Sequence, residues 1–206
     1  MSKFDEQILV VPREQLFNSE ENAFNGFIGK DDPRYQAIAD TFKNFDVKRR
    51  GDMEKDSSYK QLISYVIIST ADDEETLVYE RLGGGGEQRL HGLLSIGVGG
   101  HMNDIPEVTD IGEKLSINAK RELEEEVGLV GDDVNDIEIM GLINDDDNDV
   151  GLVHIGLVLK VSVAKDNVSN MEADTLALKW KNNNELSELS PYESWSELII
   201  RDAYGR

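Results

Sequence analysis

GEKLSINAKRELEEEVGL, residues 112–129, is the stretch on which the reading of this chain turns, because it sets four glutamates just ahead of a glycine. Its apolar spacing predicts one long helix over about Lys114–Val127. At about 100° per residue, Glu122, Glu125 and Glu126 fall at i, i+3 and i+4 and share a face, whereas Glu124 points away. Ala119, Leu123 and Val127 form the neighbouring apolar stripe, which can bury against a sheet, and Gly128 suits the left-handed position that ends a helix. Like charges at these spacings oppose one another by roughly a few tenths of a kcal/mol per pair, and the C-terminal end of the helix dipole disfavours them further. In a chain this acidic, a solvated face is the simpler explanation of the glutamates taken alone. A hard divalent cation would turn their repulsion into binding, since Mg²⁺ or Mn²⁺ takes a few carboxylate oxygens and keeps positions for phosphate and water.

The neighbouring residues add a pattern. Arg121-Glu122-Leu123, Glu125-Glu126 and Gly128-Leu129, with Gly112-Glu113 placed so that Glu113 lies eight residues before Arg121, closely resemble the Nudix box of the Nudix hydrolases. From average residue frequencies, such a core arises by chance in a chain of this length on the order of once in ten thousand or fewer. The resemblance implies an α/β/α sandwich around a mixed β-sheet and attack of water on a phosphoanhydride with Mg²⁺ or Mn²⁺ as cofactor. It implies Glu122, Glu125 and Glu126 as metal ligands, with Glu122 also a candidate base. Arg121 would hold a glutamate in place, and Glu113 would bind or orient near the metal. Many members supply a further glutamate from a loop beyond the box, for which Glu172 is the first choice here. A glycine carbonyl before the box often completes the metal shell, and Gly100 is the candidate. The family pattern has five residues between that glycine and the first glutamate, whereas twelve lie between Gly100 and Glu113 here. The extra seven must form a bulged loop if Gly100 keeps its role.

Composition limits the alternatives. The chain has 206 residues and no cysteine, so thiolate metal sites, disulfides and thiol nucleophiles are excluded. A formal net charge of −21 opposes a long nucleic acid as partner, which needs clustered Lys and Arg. It leaves open a small anionic substrate where metal ions and a few cations reverse the local field. No apolar run reaches membrane-spanning length and the N-terminus lacks a leader pattern, so a cytoplasmic protein without a membrane partner is expected; a homodimer is compatible with the sequence.

Residues 1–58 read as an N-terminal extension packed on a main domain of 59–206. The extension would hold a strand at EQILVVP, a helix from Pro33 to about Phe45, and a polar connection over Val47–Ser58. Beyond it, strands are expected at QLISYVIIST, TLVYERL, DIEIMGLI, GLVHIGLVLKVSV and TLALKW, and a last helix within ELSPYESWSELIIRDAYG. The fold class is therefore α/β, a mixed sheet covered by helices. The glycine run 83–86 lacks the Lys-Ser/Thr of a P-loop and reads as a turn. Arg81 and Arg89 beside it are candidate phosphate clamps. Asp145, Asp147 and Asp149 mimic the start of an EF-hand loop, but Val150 and Gly156 stand where glycine and glutamate are needed. The histidines show no metal-binding spacing; His154 reads as a strand residue, His101 as a neighbour of the site, and Glu193 as a helix cap. The function expected is hydrolysis of a nucleoside diphosphate linked to another group, or of a related small diphosphate. Two alternatives are a Nudix-like nucleotide sensor without turnover and an isopentenyl-diphosphate isomerase, the latter opposed by the lack of cysteine.

Overall fold

The computed structural model describes residues 2–82, 92–171 and 173–205. Its elements run β1 (Gln7–Pro12), α1 (Arg13–Leu16), β2 (Gly26–Gly29), α2 (Tyr35–Ala39), β3 (Asp46–Arg49), α3 (Arg50–Met53), β4 (Tyr59–Thr70) and β5 (Glu75–Arg81). They continue through β6 (Leu94–Ser95), β7 (Gly97–His101), α4 (Ile111–Val127), β8 (Glu138–Asn144), α5 (Asp149–Leu152), β9 (His154–Val163), β10 (Leu176–Asn182) and α6 (Ser194–Ile199).

β4, buried over nearly its whole length, is the axis of the mixed sheet. One edge pairs in parallel with β9, from Gln61↔His154 to Thr70↔Val163. The other edge is shared in turn by β1 (Val10↔Gln61), β7 (Ile63↔His101 to Ile67↔Gly97) and β5 (Ser69↔Thr76). β9 continues antiparallel to β8 and β8 to β2, while β5 carries β10 and β6.

Alternation along the strands separates two apolar layers. Leu62, Val66 and Ile68 join Val98, Ile155 and Leu157 beneath Ala119, Leu123 and Val127 of α4. Tyr65, Ile67 and Val158 face the opposite way and pack with Ile199, Ile200 and the flanking Trp195 of the C-terminal helix. Helices thus cover both faces of one mixed sheet.

The first 58 residues donate strands to this same sheet: β1 pairs with β4, β3 with β1, and β2 with β8. Two local expectations change. The helix expected over 33–45 is α2 followed by a 3-10 turn over Asp40–Asn44, where the Thr41 hydroxyl donates to Ile38 O at 2.7 Å and competes with regular helix. The polar stretch after Val47 holds β3 and α3, because Arg49 pairs with Asp5 and Asp52, and Arg50 with Glu6 and Glu54. An edge strand of this composition carries no apolar alternation to reveal it.

A partly buried charge cluster ties the N-terminal residues to the rest of the sheet. Lys60, fully buried, donates to Asp146 Oδ1 and to Gly151 O, each at 2.6 Å, and Arg13 reaches Asp146 Oδ2 at 2.7 Å. Burial pushes Lys60 down to about 8, against the attraction of Asp146. Burial also opposes the charge on Asp146, but hydrogen bonds from Arg13 and Lys60 outweigh it and hold that carboxyl at about 2. Its folded value lies below the ordinary 3.8, so its stabilisation is complete above 3.8 and is lost as pH falls through about 2. Asp146→Asn strands a buried ammonium and is expected to lower stability at pH 7 by about 3 kcal/mol in urea unfolding. The deficit should narrow on acidification across that window, and equal stability at pH 7 would contradict the assignment.

Candidate active site

α4 begins at Asp110, whose side chain accepts the Glu113 N–H at 2.8 Å, and ends at Gly128, which takes a left-handed φ of 70°. Between these caps the helix buries Ala119, Leu123 and Val127 and directs Glu122 towards the end of β7.

Glu122 is the most enclosed of them, at 8% exposure. Its Oε1 lies 2.7 Å from Arg121 Nη2. Burial pushes this carboxyl above its ordinary value, partly offset by Arg121. The same guanidinium donates to His101 O at 3.1 Å and Asn118 Oδ1 at 3.3 Å, and pairs with Glu125 at 3.4 Å. Glu126 is half-buried, and Glu124 faces solvent.

Gly100 lies directly beneath Glu122: a Cβ at position 100 would overlap the Glu122 carboxylate. The glycine is therefore required by the approach of this acid. Arg81 stacks over the Tyr79 ring at 5.6 Å. Burial opposes its charge, but Tyr79 and Glu126 prevail and raise its pKa.

The seven extra residues are tied down by contacts the sequence did not announce. β7 is prolonged along β1, with Leu9 N donating to Met102 O and Asp104 N to Gln7 O, both at 2.8 Å. Asn118, almost fully buried, accepts from Asn103 N at 2.9 Å and donates to Asn103 O at 3.0 Å. Lys114, also buried, donates to Asp104 Oδ1 and Ile105 O at 2.6 Å. Asn118 and Lys114 lie four residues apart on α4, and only the fold reveals that the inserted loop passes over them.

The expected site residues divide accordingly. Glu122, Arg121, Glu125, Glu126 and Gly100 come together around the C-terminal half of α4, and the charge of Glu126 is felt at Arg81. Glu113 does not join them: nine residues at ~1.5 Å rise put it ~13.5 Å along the helix from Glu122, and its side chain is exposed. Glu172 and Arg89 lie outside the described residues, as do Gly83–Gly86. Glu193 caps α6, accepting from Ser196 N and Trp195 N. In the Asp145–Asp149 turn Asn148 donates to Asp145 Oδ2 at 2.5 Å, while Asp146 and Asp147 accept from Lys60, Arg13 and Asn25. His101 supplies its carbonyl to Arg121, and burial pushes its imidazole down to about 2, helped by His154 and Arg50. Among the described residues, no three His, Asp or Glu side chains gather closely enough to hold a metal ion by themselves.

Relatives place this arrangement. The chain is 41% identical over 204 residues to Protein YmaB of Bacillus subtilis (strain 168), covering 97% of this chain and 98% of the relative. The crystal structure of Tm1382, assigned to the Nudix hydrolases, superposes with a TM-score of 0.72 at 26% identity, over 94% of this chain and 95% of that one. The chain belongs to the Nudix hydrolase family. It is a hydrolase, of the diphosphate-cleaving kind in general. A looser likeness is to the NUDIX domain of Shewanella oneidensis NrtR in complex with ADP-ribose, at 19% identity and a TM-score of 0.49, over 69% of this chain and 85% of that one. No family model matches the chain. Among the described residues, no helix of this Nudix hydrolase is long and apolar enough to cross a membrane.

Asn118→Ala removes both bonds to the Asn103 backbone and one contact of Arg121. It is expected to cost about 2 kcal/mol, as buried groups lose their partners. Amide exchange at Asn103 should accelerate at least tenfold; unchanged exchange would show that the inserted loop is held by other means.

Proposed function

We propose that this chain is a Mg²⁺- or Mn²⁺-dependent hydrolase of the phosphoanhydride bond in a small nucleoside diphosphate-linked compound or a related diphosphate. The observation that carries the reading is the seating of the Glu122 carboxylate on the bare backbone of Gly100. A carboxylate is a hard oxygen donor of the kind these cations take, and the Gly100 carbonyl is the backbone donor we assign beside it. Glu126 stands one helical turn beyond Glu122 and can complete the set. Glu125 is 58% exposed in its 3.4 Å pair with Arg121, and exchanging such a contact for a cation costs little.

A bound cation would supply charge neutralisation of the diphosphate and a polarised phosphorus. The chain's own groups do the rest. Arg121, fixed by His101 O and Asn118, keeps Glu122 in one rotamer, so the metal-facing oxygen needs no reorganisation. Arg81 presents a guanidinium beside Glu126, suited to a phosphate oxygen. A carboxylate of this group takes the proton from the attacking water. Glu172 remains our proposal for a base supplied from beyond the box, and Arg89 for a second phosphate contact. The relatives favour neither the sensor nor the isomerase.

The test is phosphate and nucleotide release from a panel of small diphosphates, including nucleotide sugars, ADP-ribose and dinucleoside polyphosphates, with Mg²⁺ or with EDTA. Turnover of at least one member is expected, abolished by EDTA and lowered at least 100-fold in Glu126→Gln. Turnover unaffected by EDTA, or a fully active folded Glu126→Gln, would overturn the reading. Gly100→Ala should displace the Glu122 carboxylate and weaken Mn²⁺ binding at least tenfold by calorimetry.

A further inference from the structure

On the sheet face turned away from α4, three Lewis-basic atoms from three adjacent strands converge. His101 Nε2 of β7 lies 3.1 Å from His154 Nε2 of β9 and 2.9 Å from Gln61 Oε1 of β4. Each outer group is aimed from behind. His154 Nδ1 donates to Val150 O at 2.6 Å, which leaves a lone pair on Nε2 of the neutral ring. The Gln61 amide donates to Met53 O at 3.2 Å, which turns its oxygen towards the histidines. Gln61 is fully buried, His154 is 6% exposed and His101 is half-buried.

We propose that His101, His154 and Gln61 form a second metal site, separate from the glutamates, for a borderline-soft divalent cation of the Zn²⁺ class, with water as fourth ligand. Tetrahedral Zn²⁺ with ~2.0–2.1 Å bonds to nitrogen sets its ligand atoms about 3.3 Å apart, close to the separations seen here. Imidazole nitrogen selects Zn²⁺, Co²⁺, Ni²⁺ or Cu²⁺ over Mg²⁺, and a His bonded through Nδ1 to a backbone carbonyl has the orientation usual for a ligating Nε2. Without metal, one proton on His101 Nε2 is shared between Gln61 and His154. On binding, the cation takes that position and the proton moves to Nδ1 of the same ring, so the imidazole stays neutral. Of the cations facing His101, Arg50 is paired with Glu6 and Glu54, Arg121 with Glu122 and Glu125, and Lys3 lies in solvent. The site would staple β4, β7 and β9 together and fix the residue whose carbonyl receives Arg121.

The test is titration of the metal-free full chain with Co²⁺ under excess Mg²⁺, read by visible ligand-field absorption and by melting temperature. The expected result is four-coordinate Co²⁺ bands that saturate at one equivalent, persist under Mg²⁺ and disappear on adding Zn²⁺. His154→Gln and His101→Gln should each weaken binding at least tenfold, and Glu126→Gln should leave it unchanged. Nitrogen-15 NMR of the unaltered chain gives a reading that does not depend on the variants folding: Zn²⁺ should shift the Nε2 signals of His101 and His154. Absence of bands, loss of bands to Mg²⁺, undiminished bands in both folded histidine variants, or static Nε2 signals would each overturn the site and leave a shared proton as the only bond between the rings.

Discussion

The Arg121 guanidinium holds the functional end of this molecule together. It reaches the Glu122 carboxylate, the His101 carbonyl and the Asn118 amide oxygen, and so binds the acidic helix to the end of β7. No single contact explains this arrangement. A half-buried arginine satisfies several acceptors at once because its donors form a rigid planar fork, which a lysine could not reproduce. Gly100 completes the constraint, because only a residue without a side chain lets Glu122 come to rest on the strand.

Electrostatic costs elsewhere are managed by the same principle of shared partners. A net charge of −21 disfavours compactness in general, and the acidic face of α4 adds local repulsion at the unfavourable end of a helix dipole. Arg121 offsets part of that at Glu122 and Glu125. At the N-terminal end of β4, Lys60 and Arg13 converge on Asp146 and join the first residues of the chain to the β8–α5 turn. Charge pairs of this kind add little net stability over apolar packing, but they fix which segments meet. The N-terminal residues are thereby held as part of the sheet that carries the site.

Sequence alone disclosed the parts whose physics is local. The α4 face, its glycine stop and the strands β4, β5, β8, β9 and β10 all follow from periodicity, and the box pattern identified the family. What stayed hidden depends on contacts between distant residues. β2 is four residues with two glycines and exists because β8 lies beside it. Asn118 and Lys114 look like ordinary polar helix positions until the inserted loop passes over them. His101 and His154 are 53 residues apart and meet because β7 and β9 flank the same strand, a neighbourhood no spacing rule encodes. Glu113 shows the converse: the pattern groups it with the other glutamates, while helical rise separates it from them.

The central claim is that the Gly100 backbone and the glutamates of α4 form one cation-binding surface. Anomalous diffraction from crystals soaked in Mn²⁺ tests it most directly. The account predicts an anomalous peak within bonding distance of the Gly100 carbonyl and of carboxylate oxygens from Glu122 and Glu126. Saturating Mn²⁺ with no peak there, or with peaks confined to other acidic surfaces, would contradict it.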